Sequence, residues 1–157
     1  MKDWKQVTVY TDGACRGNPG RGGYGVVLKY GRHRKELSAG FRRTTNNRME
    51  LLAAVVALES LKEPCAVTLY SDSRYLVNAV TRHWLQFWQR NGWKKADKQP
   101  VVNVDLWQRY LAAAAPHRLE LLWLKGHAGQ LENTRCDQLA TRAADGGEWN
   151  EDDGFSG

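Results

Sequence analysis

The chain of 157 residues is 42% hydrophobic and 25% charged, and its 23 Lys and Arg outnumber 17 Asp and Glu for a formal charge of +6. That composition fits one globular domain with a sizeable core, and no apolar run approaches the roughly 20 residues of a bilayer span, which excludes a helical membrane protein. The opening MKDWKQVTVYTDG has neither the apolar stretch nor the small-residue cleavage site of a signal peptide, so a cytoplasmic location is expected.

The charge is uneven. Every base lies at or before Arg142, where 23 bases face 12 acids, while Asp145, Glu148, Glu151, Asp152 and Asp153 follow. A body this basic favours a polyanionic partner such as nucleic acid. The acidic, glycine-containing end from residue 145 to 157 has little to bury and is expected to be disordered. Cys15, Cys65 and Cys136 are odd in number and lack C-x-x-C spacing, which points to reduced thiols rather than a disulfide framework or a zinc site.

In chain order, QVTVYTDG alternates as a strand, and GYGVVLKY with RKELSAGF completes an antiparallel meander. Gly20, Gly22 and Gly25 have the spacing of a dinucleotide fingerprint. That motif needs a helix after its glycines, and VVLKY is a strand, so the spacing carries no cofactor. RMELLAAVVALESLK then reads as a helix of about four turns, with Leu51, Ala54, Val55, Leu58 and Leu61 on one stripe and Pro64 beyond its end. AVTLYSD is a short strand and SRYLVNAVTRHW a helix. HWLQFWQR is a second helical piece leading into the lysine-rich loop NGWKKADKQP. NVDLWQRYLAAAAP is a helix starting near Asn103 or Asp105, HRLELLWLKG a strand, and LENTRCDQLATRAAD a last helix. A meander followed by β-α alternation, with no internal repeat, predicts one compact α/β domain with a mixed sheet.

Four acids interrupt segments that otherwise read as buried: Asp12 and Asp72 end two strands, Glu50 sits in the first helix, and Asp137 adjoins the apolar stripe of the last. A buried carboxylate is costly without a partner. If the two strands are neighbours, Asp12 and Asp72 emerge at one sheet end, where two helix acids complete a cluster. An all-oxygen cluster suits Mg²⁺ or Mn²⁺. Taken singly, each acid also has a local reading: Glu50 three residues after Asn47 fits a capping box, Asp72 an N-cap, Asp12 a turn, and Asp137 a solvated helix position.

The segments YTDGACRGNPGRGGYG, TTNNRMELLAAVVALE, YSDSRYL and WLKGHAGQLENTRCDQLA occur in an order and register that resemble bacterial type I ribonuclease H, from about Gln6 to Ala144. The resemblance implies a five-stranded mixed sheet flanked by helices, a catalytic domain over residues 1 to 144, and a monomer. It implies hydrolysis of the RNA strand of RNA-DNA hybrids, leaving 5′-phosphate and 3′-hydroxyl ends. Asp12, Glu50, Asp72 and Asp137 match the family's metal-binding acids, where two ions serve the attacking water and the leaving oxygen. His127 matches a histidine that assists proton transfer or product release. Cys15, Asn18, Asn46 and Asn47 would lie near the RNA minor groove, and Thr45 would hold a DNA phosphate. The glycine-rich opening is expected to leave room for that groove. Trp84, with Lys94, Lys95 and Lys98, resembles the family's basic protrusion; Trp88 and Trp107 read as packing residues. The chain departs from the family at Arg74, where Gln is usual, and at Gln99 and Val102, where Lys is common. The first departure bears on an RNA contact and the second on affinity at higher salt.

Overall fold

The computed structural model describes residues 3–125 and 130–157. Its elements, in chain order, are β1 (Lys5–Arg16), β2 (Gly20–Tyr30), β3 (His33–Thr44), α1 (Asn46–Glu59), β4 (Cys65–Ser71), α2 (Arg74–Thr81), α3 (Trp84–Arg90), α4 (Val104–Ala114), β5 (Arg118–Trp123), α5 (Leu131–Asp145) and β6 (Trp149–Asn150). The meander β1-β2-β3 is antiparallel, while β4 and β5 add to β1 in parallel, giving the order β5-β4-β1-β2-β3-β6. The mixed α/β fold is the one expected, with one strand more than the five foreseen.

The extra strand belongs to the segment expected to be disordered. Trp149 and Asn150 pair with Gly40 and Phe41 of β3, and Asn150 Nδ2 donates to the Gly40 carbonyl at 3.1 Å. The Trp149 ring stacks under Arg21, whose guanidinium carbon is 4.2 Å from the ring centre. Farther on, Asp152 is bound by Thr44 and Arg48. Composition alone misses this because the acids are held by cations of the body rather than by water.

Helix α1 also departs from its one-stripe reading. From Arg48 to Leu58 every residue except Val56 is buried. The sheet covers one side and α4 the other, and Trp107 of α4 is fully enclosed against Trp88 and Tyr110. Helices α2 and α3 are separate because His83 adopts a left-handed conformation, φ 63°.

Candidate active site

Strands β1 and β4 run in register, with Thr11 beside Ser71, so the next residues, Asp12, still paired with Gly25 of β2, and Asp72, just past the end of β4, come together at the end of that parallel pair. Glu50 reaches them from α1 because Gly13 has no side chain. A Cβ built there would lie 2.6 Å from the Glu50 backbone nitrogen, a separation no packed side chain tolerates. One oxygen from each of Asp12, Glu50 and Asp72 falls within a 4.8 Å group. Asp137 of α5 lines the same cleft, of about 390 Å³, with Asn46, Asn47, Ser73, Arg74 and Tyr75. A second close approach brings α5 in: a Cβ on Gly25 would meet the Cys136 carbonyl oxygen at 2.3 Å. These two glycines therefore seat helices, and Gly13 also lines the acidic cleft.

The local alternatives for Glu50, Asp72 and Asp12 do not account for these three acids, while Asp137 is partly exposed on α5. Thr45, not Asn47, caps α1, its hydroxyl accepting from the Arg48 N–H at 3.2 Å. Ser73, not Asp72, caps α2. Asp12 lies inside β1, which continues to Arg16 rather than turning.

The cluster is electrostatically strained. Asp12 and Glu50 are each 5% exposed. Burial, reinforced by the charge of Asp72, pushes the Asp12 carboxyl up to about 7, although the Gly13 N–H donates to it at 2.9 Å. Burial, with Asp12 and Asp72 adding to it, holds Glu50 well above the usual carboxylate range. Among the described residues, Glu50 Oε1 has no hydrogen-bond partner despite being buried. A buried oxygen with no donor, beside two more carboxylates, fits a hard divalent cation, which favours all-oxygen ligands and offsets mutual repulsion.

The remaining expected residues scatter. Cys15 is half-buried, its thiol directed at the Gly17 carbonyl at 2.8 Å, and exposed Asn18 accepts from the Asn46 N–H at 3.1 Å. Asn18, Thr45 and Asn47 line a second hollow of about 580 Å³, so Asn47 joins it to the acidic cleft. Arg74 is the one cation among the described residues lining that cleft, and its guanidinium stacks on Trp123 at 4.6 Å. Trp84 is exposed on α3; Lys94, Lys95 and Lys98 are exposed on a loop closed by the Lys94–Pro100 bridge, and none of the four lines the cleft. His127 lies outside the described residues. Sequence reasoning missed Ser73 and Tyr75 in the cleft wall, and Trp123 beneath Arg74. The last had a signal: the alternation of RLEL breaks at Leu122, leaving three consecutive apolar residues, Leu121, Leu122 and Trp123, at the strand's end.

Residues 4–145 match the family model described as RNase H. The chain is 61% identical over 140 residues to a ribonuclease H of Desulforamulus reducens, spanning 89% of this chain and 88% of that one. It is 56% identical over 155 residues to a ribonuclease H of Shewanella loihica, spanning 99% and 98%. Among solved structures it resembles LC9-RNase H1, a type 1 RNase H with the type 2 active-site motif, with a TM-score of 0.84 at 33% identity, covering 94% of this chain and 76% of that one. It also resembles LC11-RNase H1 in complex with an RNA/DNA hybrid, with a TM-score of 0.65 at 26% identity, covering 89% and 97%. With an acidic cluster suited to a metal at the end of this sheet, and with a match running almost end to end, the chain belongs to the ribonuclease H family.

Proposed function

We propose that this chain is an endoribonuclease that hydrolyses the RNA strand of RNA-DNA hybrids by metal-dependent phosphodiester cleavage, releasing 5′-phosphate and 3′-hydroxyl ends. The observation that carries the reading is the buried carboxylate cluster with its unpartnered Glu50 oxygen, set in a family of hybrid-cleaving enzymes. Asp12, Glu50, Asp72 and Asp137 are the residues that hold the metal, Mg²⁺ by preference with Mn²⁺ as a substitute. When bound, the divalent cation supplies Lewis-acid charge neutralisation at phosphate and lowers the pKa of water. The chain's own part is to hold these carboxylates together in a buried cluster that a cation would ionise, and to orient the hybrid against them.

His127 moves a proton or aids product release. Asn18, Thr45, Asn46 and Asn47, around the hollow that adjoins the cleft, present small polar groups and backbone to the hybrid's minor groove and phosphates, with Cys15 nearby. Arg74 contributes a charged donor at the RNA strand. Trp84 and Lys94, Lys95 and Lys98 form a sequence-independent grip on the DNA strand. Residues 1 to 144 supply the catalytic domain of a cytoplasmic monomer. The RNA/DNA hybrid bound by LC11-RNase H1 supports the substrate class.

End-labelled RNA-DNA hybrid, double-stranded RNA and duplex DNA, each incubated with Mg²⁺ or with EDTA, test the proposal. Only the RNA of the hybrid is cut, and only with metal; an intact hybrid in Mg²⁺ would overturn it.

A further inference from the structure

The most heavily bonded cation in the described structure lies outside the acidic cleft. Arg48 is 2% exposed inside α1. Its Nε and Nη2 donate to Asp152 at 2.7 and 2.9 Å, while Nη1 and Nη2 donate to Asp105 at 2.9 and 2.7 Å. Nη1 also reaches Asn103 Oδ1 at 3.2 Å. Asp152 additionally accepts from the Thr44 hydroxyl at 2.7 Å. It thus bonds residues on both sides of Thr45, the cap of α1.

Helical geometry links this outer network to the cleft. Positions two apart on an α-helix are separated by about 200°, so Arg48 and Glu50 project from nearly opposite faces. On the Glu50 side, α1 rests on Gly13 with no room for a Cβ. On the Arg48 side it is tied to α4 by Asp105 and to the segment after α5 by Asp152. That segment is itself anchored by β6 on β3 and by the Trp149 indole N–H, which donates to the Ala144 carbonyl at 2.9 Å. The start of α1, carrying Asn46 and Asn47 in its first turn and Glu50 at the beginning of its second, is clamped from both sides.

We infer that Asp152 is a positioning residue for the carboxylate cluster: the segment from 149 to 152 is a strap that fixes α1 through Arg48 and Thr44, and so sets Glu50 against Asp12. Charge-assisted bonds to a planar guanidinium are directional, which makes them suited to fixing a helix in rotation as well as in depth. The inference rests on the proposed metal-binding role of Glu50, and it concerns a segment outside the motifs that carry the family resemblance.

Asp152→Asn keeps the side-chain volume and an acceptor but removes the charge. The test titrates the intact chain and this variant with Mn²⁺ by calorimetry at a temperature where both are folded by circular dichroism, and measures the KM and kcat for hybrid cleavage. The expected result is a metal affinity weakened about tenfold, the low end of what orienting groups outside a ligand set supply, with partial recovery in Asp152→Glu. Glu151→Gln, which alters the neighbouring exposed pair with Arg42, stays within about twofold of the parent, as expected for a surface ion pair. A variant that melts earlier yet binds Mn²⁺ with parental affinity would make the strap merely structural and overturn the inference. Should Asp152→Asn fail to fold, Thr44→Val removes a single strap bond and is read in the same way. If the parent binds Mn²⁺ but cuts no hybrid, the enzymatic reading fails while the calorimetric comparison still decides the strap.

Discussion

Replacing Asp12 by Asn should make the metal-free protein more stable while ending cleavage. Asp12 is 5% exposed and shares a 4.8 Å group with Glu50 and Asp72. Its carboxyl is raised from 3.8 to about 7, first by burial and then by Asp72. A raised carboxyl means that the native state keeps a proton the unfolded chain has released, so stability falls as pH rises between those two values. The penalty is absent below 3.8 and complete above about 7. At about 1.4 kcal/mol per pH unit, the interval amounts to roughly 4 kcal/mol as a ceiling. Asn is neutral, close in shape, and can still accept from the Gly13 N–H. In EDTA at pH 8, Asp12→Asn should therefore raise the Tm by up to about 8–16 °C, using roughly 2–4 °C per kcal/mol for a chain of this size. At pH 4 most of the gain should vanish, because the parent carboxyl is then protonated in the native state. Adding Mg²⁺ at about 100 times its Kd should stabilise the parent by roughly 2.7 kcal/mol and the variant much less. Scanning calorimetry at both pH values, with and without metal, reads all four cases. A gain of equal size at pH 4 and pH 8, or a loss at pH 8, would refute the idea that a strained carboxylate is the cause.

Two other perturbations separate seating from grip. Gly25→Ala places a methyl 2.3 Å from the Cys136 carbonyl oxygen and 2.8 Å from Leu139 Cβ, so α5 must shift; urea unfolding should show a loss of about 1–3 kcal/mol or more, with kcat reduced because Asp137 moves with the helix. Parental values for both would show that α5 is not seated by that glycine. Replacing Lys94, Lys95 and Lys98 together by Ala, in the non-cleaving Asp12→Asn background, should weaken hybrid binding and flatten the slope of log K against log salt by up to roughly 2.7, at about 0.9 for each phosphate that a lysine neutralises. An unchanged slope would remove the loop from the binding face.

The acidic site was legible because its chemistry contradicts its surroundings. Carboxylates at the ends of apolar strands and within an apolar helix need a reason, and the parallel pairing of β1 with β4 brings Asp12 and Asp72 together as that reasoning requires. The glycines were harder to read, since spacing along a strand does not reveal what lies across the sheet. Only with α5 in place does Gly25 become a contact with Cys136, and only with α1 in place does Gly13 admit Glu50. The acidic end was read from its own composition, whereas its order depends on a residue about a hundred positions earlier. Yet a clue was present: RMELLAAVVAL carries Arg48 in a run whose remaining residues suit a helix buried on several sides, and a buried guanidinium obliges the fold to deliver carboxylates to it. The rule that singled out Asp12 and Glu50 as acids needing a cation applies with its sign reversed to Arg48. Its answer is Asp105 and Asp152. Two charge clusters flank the first turn of α1: carboxylates suited to a metal on one side, and on the other a buried guanidinium satisfied by two carboxylates of the chain. The position of that turn is therefore set electrostatically on its outer face before any substrate reaches the inner one.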